Sequence, residues 1–524
     1  MSAGTCGCAP PLGGGLSAAE LNRALRAMEA DRHEILRAAG LGEHGGAPGR
    51  SARVNGGSTE PWRAEEPDIL MPRPDEDTDA DADAADCAMY ETCDEFETLM
   101  MMVMEYSKVP SGAFALMSPC SFTATPGAGR DFHAPRLVYA GGFTNLPAFA
   151  ARGFPDESPI ASAEFPYASP TSLFRVASIS KIVTALGVMR AVEKELLNLE
   201  DRASDLVDFM PSGMVSDLIT IRHLLSHYAG LPHETPNDRT IAAAIGGDRH
   251  LPISSDIRIA YMASRGERVD VPEASNHSSN YGYTVLERII EEATGVSYTS
   301  WIRSQVLRRM GMDRTTTIST LSRASAEVCY YDNQVGCDCD CDADCSGYYS
   351  ARSVMSPDRD CVRSPYGHIH YEARMGPAGW VTSVKDLMRM VRYFVTAWHG
   401  SYAGFLSAAN AAEMVTPQFP SAPSSVVQGL GWFLGGTSSS TSFGHSGRLC
   451  GTTSALRCLG IGNRSSDNGA SLVYVFNTDA SRSDRADIAN ELEDLVLGRS
   501  GIGAFLGAAA VDFSAITGDL ASTC

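Results

Sequence analysis

The sequence predicts an α+β fold in which one antiparallel sheet, flanked by helices, is completed by both ends of the chain. Strand patterns occur early, at residues 112–117 and 136–140, and again late, between residues 429 and 477. The region between them, 200–375, reads mostly as helices joined by loops. Strands at both ends of a helical middle favour one sheet packed beside a helical region, with a functional cleft between the two.

The elements follow in order from local patterns. Residues 1–95 are a predicted N-terminal extension, with an amphipathic helix at 17–39 that begins with a capping box and a disordered acidic linker. The main domain is predicted at 96–500, with a sheet part at 96–200 and 376–500, a helical part at 201–375, a Cys-rich insertion at 329–361 and a tail at 501–524. Its predicted helices are 96–107, 178 to about 195, 383–398 and 482–498, and its late strands are 429–435, 441–446, 452–459 and 471–477.

Charge and hydropathy exclude several classes of protein. The 524-residue chain has a net charge of −21, of which residues 65–97 carry −13, from fourteen acidic and one basic side chain. Such a run is typical of a solvated linker, and the mildly acidic remainder argues against nucleic acid as a partner. The sequence has no run of 18 apolar residues to predict a spanning helix. It also lacks a secretory signal at its start, so we expect a cytoplasmic location.

Cysteine usage leaves three interpretations open. The chain has fourteen cysteines, and six of them fall between residues 329 and 361. Their dense core, 337–345, matches no standard zinc spacing, and its aspartates do not complete a calcium loop, because Ala343 and Tyr349 replace the required Gly and Glu. The segment is therefore a surface insertion with disulfides or free thiols, a stretch without special role, or a metal site. Disulfides would require an oxidising compartment, which conflicts with the expected location.

Ser178 and Lys181 form an S-x-x-K pair where an apolar run turns into a helical pattern. Their spacing puts both side chains on one face of a helix. A serine hydroxyl needs a base beside it to act as a nucleophile, and a lysine can be that base if burial or nearby cations keep it neutral. A serine in a first helical turn also lies among free backbone N–H groups that can stabilise an oxyanion. The pair predicts a nucleophile, Ser178, and its base, Lys181.

Two more motifs follow in the chain. Ser278-Ser-Asn280 precedes an amphipathic helix, and Phe443-Gly-His-Ser-Gly-Arg448 lies at the edge of a strand pattern. With the flanking segments 219–232 and 376–383, these motifs resemble the serine beta-lactamase and penicillin-binding-protein superfamily, closest to its class C and esterase branch. The resemblance extends over about residues 96–480. It implies a beta-lactamase/transpeptidase-like fold and a site that uses no cofactor and no metal.

The resemblance also implies roles for the third motif and for Asn280. Asn280 would orient Lys181 and the substrate carbonyl group. His445, where relatives carry Lys or His, would contact the substrate carboxylate or the leaving group. The backbone N–H of Arg448, directly after Gly447, would be a second oxyanion donor beside that of Ser178, and the Arg448 side chain is a further substrate-binding candidate.

One position departs from the branch that the chain resembles. Ser278 stands where that branch usually carries tyrosine, and the hydroxyl pKa of serine lies far above that of a phenol. Ser278 is therefore predicted to relay a proton rather than to act as a resting anionic base. Tyr281 is the nearest substitute phenol and a substrate-binding candidate, although in the matching register its side chain is expected to point elsewhere.

These roles predict a serine hydrolase that forms an acyl-enzyme on small esters, amides or beta-lactams. Esters come first, because His-x-Gly resembles the esterase branch. An acyltransferase on the same scaffold, and a catalytically weak homologue that acts as a binding or assembly protein, stay open, as does the oligomeric state. His223 and His227 are interpreted as structural, and Trp380 either narrows the cleft or fills core.

Overall fold

The computed structural model describes residues 111–117, 137–142, 168–209, 215–324, 326–330, 351–355, 361–362, 365–400, 405–421, 426–437, 440–462 and 470–478. The predicted extension 1–95, the helices at 96–107 and 482–498, the cysteine core at 337–345 and the tail at 501–524 lie outside the described residues.

The described segments contain short and long strands around a set of helices. The strands are β1 Ser111–Met117, β2 Leu137–Gly142, β3 Phe174–Arg175, β4 Thr316–Thr317, β5 Ala351–Arg352, β6 Cys361–Val362, β7 Trp380–Thr382, β8 Val427–Gln428, β9 Phe433–Thr437, β10 Ser440–Leu449, β11 Thr452–Gly462 and β12 Ala470–Phe476. The α-helices are α1 Ser180–Glu193, α2 Ile221–Leu225, α3 Asp238–Ile245, α4 Ser255–Arg265, α5 Asn280–Thr294, α6 Tyr298–Ile302, α7 Met375–Ala378, α8 Val384–Trp398 and α9 Ala408–Met414.

The main sheet has seven antiparallel strands in the order β2-β1-β12-β11-β10-β9-β8. β1 pairs with β12, with Gly112 opposite Phe476. Both ends of the chain therefore complete one sheet, which confirms the predicted α+β fold. The strand predicted at 429–435 is instead a hairpin of β8 and β9, because Gly431 adopts a left-handed φ of +80° and turns the chain between them.

A small sheet that the sequence did not predict holds the segment before Ser178. Its order is β3-β7-β4, and Phe174 of β3 lies opposite Thr382 of β7. Strands of two or three residues are too short for an alternating pattern to reveal them. Trp380 of β7 is fully buried, and its indole N–H donates to Tyr298 Oη at 3.0 Å, so this side chain fills core.

Helix α1 is a core helix, since most of its residues are buried, and it packs against α5. Helix α5 begins at Asn280, because the Ser279 hydroxyl accepts a hydrogen bond from the N–H of Gly282 at 2.9 Å. A serine in this position satisfies an otherwise unpaired N–H of the first turn. The two helices thus bring the starts of the first and second motifs together.

The described cysteines are mostly oxidised. Cys329, Cys361 and Cys450 are disulfide-bonded, whereas Cys458 is buried and free. Disulfides are typical of oxidising compartments. In the part of the chain that is described, no helix is long and apolar enough to cross a membrane, and no cluster of His, Cys, Asp and Glu is arranged to hold a metal ion.

Candidate active site

Ser178 lies in a tight turn, Ala177–Ile179, that leads directly into α1. Ala177 has φ +49°, a left-handed conformation that is strained for a residue with a side chain. Hydrogen bonds hold this turn, since Val176 N–H donates to Trp380 O at 3.2 Å and Ile179 N–H donates to Val176 O at 3.1 Å. The N–H groups of Ile179 and Ser180 are thus bonded within the turn, whereas an N–H at the very start of a helical turn, such as that of Ser178, has no helical acceptor and can bind a ligand.

Lys181 connects the first two motifs. Its Nζ lies 2.8 Å from Ser178 Oγ and 2.5 Å from Asn280 Oδ1. Burial lowers the pKa of Lys181 to about 7, with the Glu234 carboxylate acting in the opposite direction. Among the described residues, no carboxylate forms an ion pair with this amine. Lys181 can therefore be neutral near pH 7, the form that has a lone pair to accept the serine proton.

Glu234 is a site residue that sequence reasoning missed. Its carboxylate accepts a hydrogen bond from Asn280 Nδ2 and, at 2.8 Å, from Arg374 Nη1. The amide of Asn280 is therefore fixed from both ends, with its oxygen toward Lys181. In the sequence, Glu234 is marked only by its position two residues after the segment 219–232. That position does not reveal the hydrogen bond to Asn280, which is 46 residues away.

The third motif begins where β10 still pairs with β9 and continues beyond that pairing. β9 pairs with β10 only as far as Gly444, and within the described residues 445–449 are paired on the β11 side alone. A Cβ on Gly447 would come within 2.4 Å of Val176 O and 2.9 Å of Ala177 Cβ. Only glycine allows β10 to lie so close to the turn Ala177–Ile179. This close approach brings the backbone of Gly447 and Arg448 beside Ser178.

His445 is on the same strand and is buried. Its Nδ1 lies 2.7 Å from Ser446 O, and because a carbonyl oxygen only accepts, Nδ1 carries the proton. Burial, and secondarily the charge of Lys181, lower the pKa of His445 to about 3, so the ring is neutral with Nε2 as an acceptor. The expected contact with a substrate carboxylate requires a cation, and His445 does not supply one. A contact with a hydrogen-bond donor of the substrate or leaving group fits.

Ser278 and Tyr281 are less closely integrated than predicted. Ser278 is half-buried, but its hydroxyl makes no hydrogen bond with Ser178 or Lys181 among the described residues. Tyr281 is buried, and its hydroxyl donates to the backbone carbonyl of Phe209 at 2.8 Å, so contact with substrate stays a prediction. Successive side chains on α5 diverge by about 100°, so Tyr281 points away when Asn280 faces Lys181.

An antiparallel sheet beside a helical region, with a serine and a lysine at the start of a buried central helix, defines the class of serine beta-lactamases and penicillin-binding proteins. The sequence model of the beta-lactamase family matches residues 142–495, well over half of the chain, and the chain belongs to that family. Membership supports hydrolase activity of the serine type and small-molecule substrates in general.

Individual relatives agree with this classification. The chain is 36% identical over 145 residues to "Penicillin-binding protein 4*" of Bacillus subtilis (strain 168), a match that covers 28% of this chain and 30% of that protein. The octameric penicillin-binding protein homologue from Pyrococcus abyssi has a similar structure, with a TM-score of 0.55, 21% identity and coverage of 78% of this chain and 77% of that one. A beta-lactamase/D-alanine carboxypeptidase from Yersinia pestis has a TM-score of 0.50, 16% identity and coverage of 79% and 98%.

Proposed function

We propose that this protein is a serine hydrolase that forms an acyl-enzyme on Ser178 and acts on small, uncharged esters, with amides as slower substrates. The observation that carries the proposal is the position of the Lys181 amine, which is buried and lies within hydrogen-bond distance of both Ser178 Oγ and Asn280 Oδ1. A nucleophile, a base and a group that orients the base are the parts that acyl transfer needs.

In the acylation step, neutral Lys181 accepts the hydroxyl proton of Ser178 while Oγ attacks the substrate carbonyl carbon. The negative charge that develops on the carbonyl oxygen is stabilised by the backbone N–H groups of Ser178 and Arg448. Each donor of this kind contributes about 3–4 kcal/mol to transition-state stabilisation. Asn280 holds the amine in place throughout, because its oxygen accepts a hydrogen bond from Lys181 Nζ.

The proton then passes from Lys181 to the leaving group as the tetrahedral intermediate collapses to the acyl-enzyme. We assign the relay in this step to the Ser278 hydroxyl, which lies two residues before Asn280 on the same loop. Catalytic hydrogen bonds that are absent without substrate often form in the substrate complex. The relay is therefore compatible with a structure in which the Ser278 hydroxyl is not bonded to Lys181. Water then attacks the acyl-enzyme by the same route in reverse and releases the acid.

The charges around Lys181 favour uncharged acyl groups. His445 is neutral, with Nε2 as an acceptor, and Glu234 adds a negative charge next to Asn280. A substrate carboxylate at this position would have neither a cationic histidine nor a lysine of the third motif to bind it, and Arg448 is the one cation within residues 443–448 that is left for this role. We therefore place esters before beta-lactams and peptides with a free carboxylate.

The proposal is tested by labelling with a fluorescent fluorophosphonate and by hydrolysis of p-nitrophenyl acetate. The unmodified protein should be labelled and active, Ser178→Ala should lose both properties, and Ser264→Ala, a change at an exposed serine of α4, should keep both. An unlabelled, inactive native protein would contradict the proposal and favour a binding protein. Release of product as a new ester when an alcohol is added would identify an acyltransferase instead of a hydrolase.

A further inference from the structure

The loop that carries Ser278 and Asn280 is hydrogen-bonded along its length to the segment 226–233. The bonds run from Asn276 Nδ2 to Ser226 O at 3.2 Å, His277 N to His227 O at 2.9 Å, Ser279 N to His227 Nδ1 at 3.1 Å, His233 Nδ1 to Ser278 O at 2.6 Å, Ser279 Oγ to Pro232 O at 2.7 Å and Asn280 N to His233 O at 2.7 Å. The second motif is thus built on a template that lies about fifty residues earlier in the chain.

His227 is the residue of this segment whose side chain accepts a backbone hydrogen bond from the loop, from the N–H of Ser279 next to Asn280. Its side chain is 3% exposed, and its ring centroid lies 5.2 Å from that of Tyr283, the residue whose ring also faces Lys181 Nζ at 5.7 Å. His227 has φ +64°, a left-handed conformation that is uncommon for a residue with a side chain. In this conformation its ring nitrogen Nδ1 lies 3.1 Å from the backbone nitrogen of Ser279.

We propose that His227 is a positioning residue for the reaction, whose unprotonated Nδ1 accepts the N–H of Ser279 and thereby holds Asn280 against Lys181 and Ser278 beside the substrate. This inference rests on the proposed function, because it gives Asn280 and Ser278 a part in catalysis. A backbone N–H can only donate, so His227 must carry its proton on Nε2.

His233 provides an internal contrast, because it holds the same loop with the opposite polarity. Its Nδ1 lies against Ser278 O, which only accepts, so Nδ1–H donates. A second proton on His233 leaves that bond intact, whereas a proton on Nδ1 of His227 would place two donors face to face. Burial first, and then the electrostatic influence of the basic side chains Lys181, His445 and His233, keep the pKa of His227 well below its ordinary value.

Three variants test the role of His227. His227→Asn keeps an acceptor oxygen near the position of Nδ1 and tolerates positive φ, whereas His227→Leu removes the acceptor. His223→Leu is the matched control, since His223 is also buried but bonds Thr220 and Glu273 instead of the 278–280 loop. The readouts are the rate of fluorophosphonate labelling of Ser178, the thermal midpoint, and the imidazole ¹⁵N resonances, with the His227 signals identified by their loss in His227→Asn.

We expect His227→Leu to slow labelling by about 10- to 100-fold, as small misplacements of reacting groups do. His227→Asn should stay within about threefold of the native rate, a difference below about 0.7 kcal/mol, and His223→Leu should lower the thermal midpoint without slowing labelling of the folded protein. The native resonances should show His227 as the Nε2–H tautomer. Native labelling rates in His227→Leu, a loss in His227→Asn as large as in His227→Leu, or an Nδ1–H tautomer would each overturn the inference. An unlabelled native protein would instead contradict the proposed function.

Discussion

Arg175 in β3 and Lys181 in α1 are buried basic side chains only six residues apart, and the groups that surround them differ. The Arg175 guanidinium is bonded to Glu327 at 3.2 Å, to Pro365 O at 2.5 Å and to Ser319 O at 3.0 Å. The rings of Tyr330, Tyr366 and Tyr371 surround it at 4.7–5.3 Å. Lys181 has one hydroxyl and one amide oxygen for partners.

The pKa values of the two cations move in opposite directions as a result. Burial acts to lower the pKa of Arg175, but Glu327 and the three tyrosines more than offset it, and the pKa is raised. Burial of Lys181 is opposed only by the more distant Glu234, and its pKa falls to about 7. Burial alone therefore does not decide the charge of a side chain. Arg175 has Glu327 and three tyrosine rings to offset burial, whereas Lys181 has no carboxylate at contact distance.

The largest effect is expected when the two cations are exchanged. Lys181→Arg places a group at the site that stays protonated at any accessible pH, so ester hydrolysis should fall on the order of 10³-fold or more. The reciprocal change, Arg175→Lys, keeps a positive charge beside Glu327 and should leave turnover of the folded protein nearly intact. Steady-state hydrolysis of p-nitrophenyl acetate measures both. Appreciable activity in Lys181→Arg would show that another group is the base.

The ion pair of Arg175 can be removed by changing Glu327. Glu327→Gln leaves a buried guanidinium without its counter-charge, which typically costs about 3–5 kcal/mol of stability. Glu267→Gln is the control, since its pair with Arg265 is solvent-exposed and such pairs contribute only about 0–1 kcal/mol. Urea unfolding of both variants gives the two free energies. Equal losses would mean that the buried pair contributes no more than an exposed one.

Asn280→Asp would give Lys181 the carboxylate that Arg175 already has. An adjacent negative charge raises the pKa of a lysine, commonly by about 1–3 units. Because Lys181 must be neutral to act, the acid limb of kcat/KM should move from near pH 7 to higher pH by that amount. The control is Asn237→Asp at the start of α3, which makes the same chemical change away from Lys181. An unmoved limb in Asn280→Asp would mean that Lys181 does not control it.

The change Ser278→Ala tests whether Lys181 needs a second group to carry the proton to the leaving group. If the hydroxyl relays a proton, Ser278→Ala should lower kcat/KM by at least about 30-fold, within the range of general acid–base contributions. The acid limb should stay where it is, because the surroundings of Lys181 are unchanged. A native rate in Ser278→Ala would leave Lys181 as the sole proton carrier.

Glu234 should give the smallest effect. Its carboxylate raises the pKa of Lys181, so Glu234→Gln lowers that pKa and moves the acid limb to lower pH. The shift should stay below about one unit, because half-exposed charge pairs contribute about 0.2–1 kcal/mol and one unit corresponds to about 1.4 kcal/mol. Glu292→Gln, an exposed change on α5, should not move the limb. A shift to higher pH in Glu234→Gln would contradict the assignment.

The sequence by itself determined the elements and the motifs. The strands β10, β11 and β12 and the helices α1 and α8 were all predicted close to their observed bounds, because hydrophobic periodicity within ten to fifteen residues specifies them. The Ser178–Lys181 contact was also predictable, since two residues three apart on a helix always lie side by side.

The contacts of those residues, and hence their charges, depend on tertiary packing. The direction of Tyr281, the small sheet β3-β7-β4, the link from Asn280 to Glu234 and the acceptor role of His227 all depend on contacts between residues far apart in the chain. The charge of a buried basic side chain depends on all the groups that packing places around it, and many of these lie far away in the chain. Both Arg175 and Lys181 are visible in the sequence as basic residues, but their partners are not. Packing places Glu327 beside Arg175 and the amide oxygen of Asn280 beside Lys181.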